Sequence, residues 1–481
     1  MYHYYGKNVR RFSAICDCSF GRKVIYTNKD RITQDNILEE LGKAMSIHEQ
    51  NSAEITYLDR YYRGDAPILY RNKEVRPEVN NKVHINLSIP LVEMKASEMA
   101  GEPIQYVLRG TDENKSESVV NLNTILEDES KQEIDIEICR WRSICGTAYR
   151  YIGNDDKKGH LFDETKFFLE ACDPRNTFVV YYAVTKRPAF SVQIYENEEG
   201  NTEKLVHTDI EYFIVNGDQI IESGVNANQA IPVIEYPNNG RRLSDIEITI
   251  SINDLIDTLA SDRVNGIEQF VASWVKFVNC EIDEALFKKM RQEGALVVKS
   301  NNGSENKADV DILTQELNQT EAQSVMDDLF EKFLIIQGLA NRQSNTGGDT
   351  QGAVELRNGH YDAEKRAELT EPIFKKAERQ FLRILLRRLS IDKVITNLEP
   401  KDIEIKISRS KMDNMLVKAQ TLQLLLASGI NSSRAIKSVG MFSDPELVAN
   451  ESRARMDILY PTTVDQTETE KPDEVIEVED V

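Results

Sequence analysis

The sequence predicts an α+β fold in which long helices frame a strand-rich middle region, and three observations carry that prediction. Apolar residues recur at three- and four-residue spacing over long stretches of the chain. Short aromatic and β-branched runs bounded by turn residues fill much of 150–215. Two of the longest helical patterns are separated by a polar loop with almost no apolar side chain.

That loop and its flanks are the most informative stretch. Ala322, Val325, Met326, Leu329, Phe333 and Ile336 fall on one face of a helix that should end near Gly338. Asn341, Arg342, Gln343, Ser344, Asn345, Thr346, Gly347, Gly348, Asp349, Thr350, Gln351 and Gly352 then have nothing to bury, and the Gly347-Gly348 pair can take positive φ, so an exposed, moving loop is expected. A second pattern starts at Ala353 and runs through Leu356, Ala363, Ala367, Ile373, Phe374, Ala377, Phe381, Leu385 and Leu389. Pro372 removes one backbone donor from it, which predicts a kink about midway.

With 481 residues, 40% of them apolar, the chain can fold into several structural units. The formal charge of −21 excludes tight, general neutralisation of nucleic-acid phosphates, so any DNA contact should be local and weak. Cys16, Cys18, Cys139, Cys145, Cys172 and Cys280 are scattered without zinc-like spacing and read as free thiols of a reducing compartment. No stretch has the composition of a signal peptide or approaches the apolar length that spans a bilayer, so a protein made and used in solution is expected.

Along the chain, helices are expected over 34–62, 89–99 and about 119–143, the second closed by Gly101-Glu102-Pro103. Strands are expected at 150–152, 167–169, 177–182, 190–195 and 212–215, and residues 231–240 punctuate the chain. Ile252, Leu255, Ile256, Leu259, Val264, Ile267, Val271, Trp274, Val275 and Val278 then keep helical spacing, a helix of roughly 40 Å. Residues 279–319 form a small mixed unit with strands near 295–298 and 310–313. Beyond 390, a strand ending at Ile407 and helices over 415–427 and 432–439 and from Pro445 are expected. From Asp465 onward, Glu468, Glu470, Asp473, Glu474, Glu477, Glu479 and Asp480 stand against Lys471, the composition of a disordered tail.

Motif chemistry is thin. There is no GxxxxGK[ST], GxSxG, HExxH or GxGxxG. His3, His48, His84, His160, His207 and His360 share no spacing and read as core or surface residues; Asp309 with Asp311, or Asp254 with Asp257, could share a cation, as acidic pairs do by chance in an acidic chain. No cofactor and no metal are expected.

Several fragments in order resemble one family. Tyr61-Tyr62-Arg63-Gly64, Asn80-Asn81-Lys82-Val83-His84-Ile85-Asn86, Gly101-Glu102-Pro103-Ile104-Gln105-Tyr106, Cys145-Gly146-Thr147-Ala148-Tyr149, Asp173-Pro174-Arg175-Asn176-Thr177-Phe178-Val179-Val180-Tyr181 and 231–239 are similar to the portal proteins of tailed bacteriophages, in the SPP1-like branch of long-tailed phages and prophages of Gram-positive bacteria. Ala427-Ser428-Gly429-Ile430-Asn431-Ser432 and Ser443-Asp444-Pro445-Glu446 resemble the family's helical crown.

The resemblance implies a phage portal fold with a mixed α/β wing, long-helix stem, small α/β clip, kinked long helix and helical crown. It divides the chain into a segment of open role (1–31), wing (32–243), first stem helix (244–278), clip (279–319), second stem helix (320–339), tunnel loop (340–352), kinked helix (353–390), wing strands (391–410), crown (411–460) and acidic tail (461–481). It implies a ring, commonly dodecameric, at one capsid vertex, through which double-stranded DNA is packaged and ejected. The tunnel loop would face DNA, and the clip, with Lys288, Lys289, Arg291, Lys299, Asn301 and Asn302, would meet the terminase large subunit and later a head-completion or adaptor protein. Major capsid and scaffold proteins are further partners, with no membrane; the location implied is the virion, and the host cytoplasm during assembly. No catalytic activity is expected, ATP hydrolysis residing in the motor. Two other readings are a metal-dependent nucleic-acid enzyme with acidic ligands, and a helical scaffold without a DNA channel.

Overall fold

Aromatic and β-branched runs, nearly continuously buried in the central strands, build the largest sheet among the described residues. The computed structural model describes residues 21–73, 77–110, 112–154, 166–271, 274–278, 288, 309–313, 319–339, 360–408, 415–442 and 445–453. These fall into two compact units, one comprising Met1–Lys95, Ile138–Tyr151 and Ala171–Phe374, the other Ala96–Glu137, Ile152–Glu170 and Lys375–Val481.

In the first unit, β1 (Ile25–Thr27), β5 (Thr177–Tyr182), β6 (Pro188–Glu196), β7 (Thr202–His207), β8 (Glu211–Asn216) and β9 (Gln219–Val225) form a six-stranded sheet in the order β1-β5-β6-β7-β8-β9. Every pair is antiparallel except β1 with β5. The inward residues Phe178, Val180, Phe190, Val192, Val206, Phe213 and Val215 pack with Ile37, Leu41 and Ala44 from the start of α1 (Ile37–Tyr62). The far half of the same helix supplies Ile55, Leu58 and Tyr61 to a second core with Val92 of α2 (Ser88–Ala100), Ile144 and Cys145 of α4 (Lys131–Cys145), and Ile246.

A second sheet has the order β10-β3-β4, from β3 (Thr147–Asn154), β4 (Phe167–Cys172) and β10 (Val233–Pro237). Gly146, between α4 and β3, has φ 85°, and a Cβ there would lie 2.0 Å from the Arg242 carbonyl oxygen, so only glycine fits. The Cys145 thiol beside it is buried and pushed up to about 12, which makes it an inert packing group.

From this base extend α5 (Ile250–Val271) and α6 (Gln319–Gln337), an antiparallel pair in which Gln337 Nε2 donates to Thr249 Oγ1 at one end and Arg263 to Gln323 Oε1 farther out. β11 (Trp274–Val278) and β12 (Asp309–Leu313) pair antiparallel between them. The helix expected to run to Val278 therefore ends at Val271. Trp274, Val275, Phe277 and Val278 form a short apolar run that suits either period, and pairing with 309–313 resolves it as strand. α6 stops where Gly338 takes φ 68°.

The second unit holds β2 (Gln105–Leu108), antiparallel to β13 (Ile403–Lys406), with α3 (Glu113–Asp128) beside β2. The single helix expected over 119–143 is two helices, because Ser130 turns the chain through φ 52°. α7 (His360–Ile391) begins in the first unit and ends in the second, with Pro372 inside it. The last helices are α8 (Met415–Ala427), α9 (Ser432–Val439), capped by Asn431 and ended by Gly440 at φ 63°, and α10 (Pro445–Glu451).

Two core histidines are held neutral. Burial lowers His48, stacked 4.2 Å from Phe178, and His207, between Tyr151 and Tyr212, each to about 4. Their contribution is present above the ordinary histidine value of about 6.5 and is lost as pH falls toward 4, roughly 3 kcal/mol for each ring. Thermal unfolding from pH 7 to pH 4 should therefore show a steep loss of stability, and His207→Phe should remove about half of the histidine-linked part, because the phenyl ring fills the site without a proton to gain while His48 still titrates.

Candidate functional site

The polar face of α5 is buried, an inversion of the usual arrangement for a helix on a surface. Asn253, Asp257, Ser261 and Asn265 lie at four-residue spacing, all within a few per cent of complete burial. The last three of them are covered by the irregular segment 77–86. Its backbone has no strand beside it, so its amides turn to the helix's side chains. Ile85 N donates to Asp257 Oδ1 at 2.8 Å, Val83 N to Ser261 Oγ at 2.9 Å and Asn81 N to Asn265 Oδ1 at 2.7 Å. His84 Nδ1 meets Asp257 Oδ2 at 2.7 Å, and Asn81 Nδ2 reaches Glu268 Oε2. Arg71 and Lys73 extend the seam to Asp262, at 3.1 and 3.3 Å.

At the base of the seam, Tyr61 Oη donates to Asp254 Oδ1 at 2.9 Å and accepts from Asn253 Nδ2 at 3.0 Å. Burial, reinforced by the Asp257 charge, raises the Asp254 carboxyl to about 6 against the pull of Tyr61. Farther in, Arg22 ion-pairs with Glu247 and lies 3.3 Å from Glu54, and Arg242 reaches Glu235, whose carboxylate also accepts from Thr147 and Tyr181. The Arg242 charge and these donors outweigh burial and hold Glu235 below the ordinary carboxylate range.

Asp254 and Asp257, a candidate cation pair by sequence, are thus spent on Tyr61, His84 and the Ile85 amide. Among the described residues no group of three histidine, cysteine or acidic side chains could hold a metal ion. In the second unit a cleft of about 650 Å³ is lined by β2, α3, the start of α4 and Leu447. Beside it, Lys131 is buried between Asp135 and Glu378, at 2.5 and 2.8 Å, and Tyr106 donates to Glu378. Asn123 bonds both the amide and the carbonyl of Tyr106, standing in for a neighbouring strand.

Residues 341–351 of the expected tunnel loop lie outside the described residues, as do Lys289, Arg291, Lys299, Asn301 and Asn302. Lys288 is described and exposed. Pro372 is exposed within α7, and Phe374, two residues on, is buried against the Tyr236 ring at 5.1 Å with the Arg142 guanidinium 5.0 Å from its own ring.

The family described as phage portal protein, SPP1 Gp6-like, matches residues 42–470. The chain belongs to the phage portal protein family. The portal protein of Clostridium phage phiCD119 (strain Clostridium difficile/United States/Govind/2006) is 21% identical over 409 residues, 79% of this chain and 87% of that one. A chain in the solved neck of an empty GTA particle, computed with C6 symmetry, is similar over 74% of this chain and 90% of its own, at 11% identity and a TM-score of 0.46.

Within this portal-family chain, Asn81 and His84 belong to one of the fragments that resemble the family, and their partners stand 173 to 187 positions away along the chain. Among the described residues no helix is long and apolar enough to cross a membrane.

Two substitutions probe the seam. Asp257→Ala leaves the Ile85 amide and the His84 ring without their acceptor and should cost about 2–4 kcal/mol in denaturant unfolding. Asp254 has the opposite sign: its contribution is complete below the ordinary aspartate value and declines as pH rises through about 6. Asp254→Asn keeps an acceptor for Tyr61 without charging, so it should stabilise the protein at pH 8 by roughly 1–2 kcal/mol and make no difference at pH 4.

Proposed function

We propose that this chain is the portal subunit of a tailed phage or prophage, assembling as a ring at one capsid vertex and forming the conduit for double-stranded DNA. Beyond family membership, one observation carries the assembly reading. Leu255, Val264 and Ile267 on α5 and Val325, Ile335 and Ile336 on α6 are each 40–53% exposed in the single chain. A helix pair that seals a polar seam inward while leaving aliphatic side chains in water is suited to burial against further copies of itself. Leu424 and Leu447 of the last helices, with Ile430 and Phe442 in the connections between them, add exposed apolar surface of the same kind.

In this reading α5 and α6 are the stem, β11 and β12 belong to the clip that meets the packaging motor and head-completion proteins, residues 341–352 are the tunnel loop, and α8 to α10 are the crown. The protein acts by holding and guiding DNA, and hydrolysis of ATP belongs to the docked motor. An acidic conduit with a nearly neutral loop lets a polyanion slide where a basic lining would grip it. Arg342 and Asp349 are the loop's charged residues, and repetition around a ring makes Arg342 a circle of positive charge that steadies phosphates without retaining them.

Electron-microscope imaging of the purified protein, with native mass on the same sample, should show closed rings of a single stoichiometry around an open centre. Ile267→Lys with Ile335→Lys should leave the folded subunit but abolish ring closure. A subunit that stays monomeric or dimeric at every concentration, with and without its phage partners, would sink the reading. Arg342→Ala should lower packaging yield or packaged DNA length in a phage complementation assay; unchanged values would remove Arg342 from the mechanism.

A further inference from the structure

The second half of α7 carries a charge pattern at odds with the rest of the protein. Lys376, Arg379, Arg383 and Arg387 are exposed and separated by three, four and four residues. At 100° per residue they fall within an arc of about 80°, forming a straight rail about 16 Å long. Over 375–391 the helix has one acidic residue, Glu378, and it is fully buried with its carboxylate on Lys131 and Tyr106. Lys376, Arg379 and Arg383 have no hydrogen-bond or ion-pair partner among the described residues. In a chain of net charge −21, where acidic neighbours are abundant, three exposed cations of one helix face without a partner among the described residues are a surface kept clear for an anion.

We propose that this rail is a sequence-independent contact for the phosphate backbone of double-stranded DNA, separate from the tunnel loop. The inference rests on the portal reading for the presence of DNA, while the choice of ligand rests on the rail. Lys376, Arg379 and Arg383, over about 10 Å, face about three phosphates of one duplex strand at ~3.4 Å each along the axis. Two of the three are arginine, whose planar fork pairs with phosphate oxygens two at a time. The rail also lacks what a protein partner needs. Gln380 and Ser390 flank the cations and no aromatic side chain stands among them; over 375–391 the exposed aliphatic residue is Ile391, at the end of the helix, and Leu369 lies about two turns before Lys376. Protein interfaces place apolar anchors at their centre and charges at the rim, whereas phosphate contacts that position a duplex are charged throughout.

The test is fluorescence anisotropy of a labelled 30-base-pair duplex of arbitrary sequence against the full-length protein, over a salt series, with ring formation imaged on the same samples. The wild type is compared with Lys376→Gln, Arg379→Gln and Arg383→Gln, singly and together. Lys401→Gln, at an exposed lysine paired with Glu399 elsewhere in the second unit, is the control. Each rail substitution should reduce the slope of log affinity against log salt by about 0.9 for every phosphate that is no longer neutralised. The triple variant should bind at least about tenfold more weakly at 0.1 M salt, and the control should match the wild type. Equal affinity and slope in wild type and triple variant, with rings intact, would overturn the rail and leave the portal reading standing. Loss of rings in the triple variant at unchanged DNA affinity would assign the rail to a neighbouring subunit and overturn the DNA contact. If a peptide of residues 465–481 binds the wild type and not the triple variant while the duplex binds both alike, the ligand is an acidic polypeptide and the proposal falls. A wild type that forms no rings sinks the portal reading, and the duplex comparison still decides the rail.

Discussion

A half-buried irregular segment must find partners for its inward amides, and those of Asn81, Val83 and Ile85 find them on one helix. Asp257, Ser261 and Asn265 accept the backbone donors of Ile85, Val83 and Asn81 in register, one turn of α5 for every two residues of the segment. The match is geometric: two residues of extended chain and one helical turn advance by comparable distances, near 6 Å. Because this match consumes the inner face of α5, the helix's aliphatic residues Leu255, Val264 and Ile267 are left outward. The seam thus dictates both how the helix is held to its base and which of its surfaces is free for other copies.

The same constraint explains the distribution of ionisable groups. Arg22 with Glu247 and Glu54, and Arg242 with Glu235, sit where chain segments distant in sequence are brought together, at the roots of α5 and of β10. Removing one member of such a pair leaves a buried charge uncompensated, which costs more than the pair contributes when intact. These pairs therefore enforce the arrangement of the base. They add little to its net stability, which comes from the two apolar cores shared by α1.

Local signals account for the elements that are legible in the sequence. α8 and α9 span the residues expected from periodicity, with Asn431 capping and Gly440 ending the second of them. β5, β6 and β8 follow from aromatic and β-branched runs bounded by turn residues. Sequence and structure part where a distant partner or a single dihedral decides. Trp274–Val278 is a strand because 309–313 lies beside it, and the α3–α4 break depends on one left-handed serine. Pro232 and Pro237 bracket β10 and give it the look of punctuation, yet only the last of its paired residues is a proline. The seam is hidden for a related reason. Asn, His, Asp and Ser at those positions have ordinary surface composition, and nothing local says that a polar helix face will be covered.

Helix α1 has a further consequence. Its 26 residues make a rod of about 39 Å whose first half lies in the sheet core and whose second half lies in the core around Tyr61. A helix cannot melt at one end of a packed core without loosening what orders the other, so the two cores share one fate. The base of this subunit should behave as a single cooperative body, and a load applied at the sheet is transmitted along α1 to the foot of the long helix pair without an intervening joint.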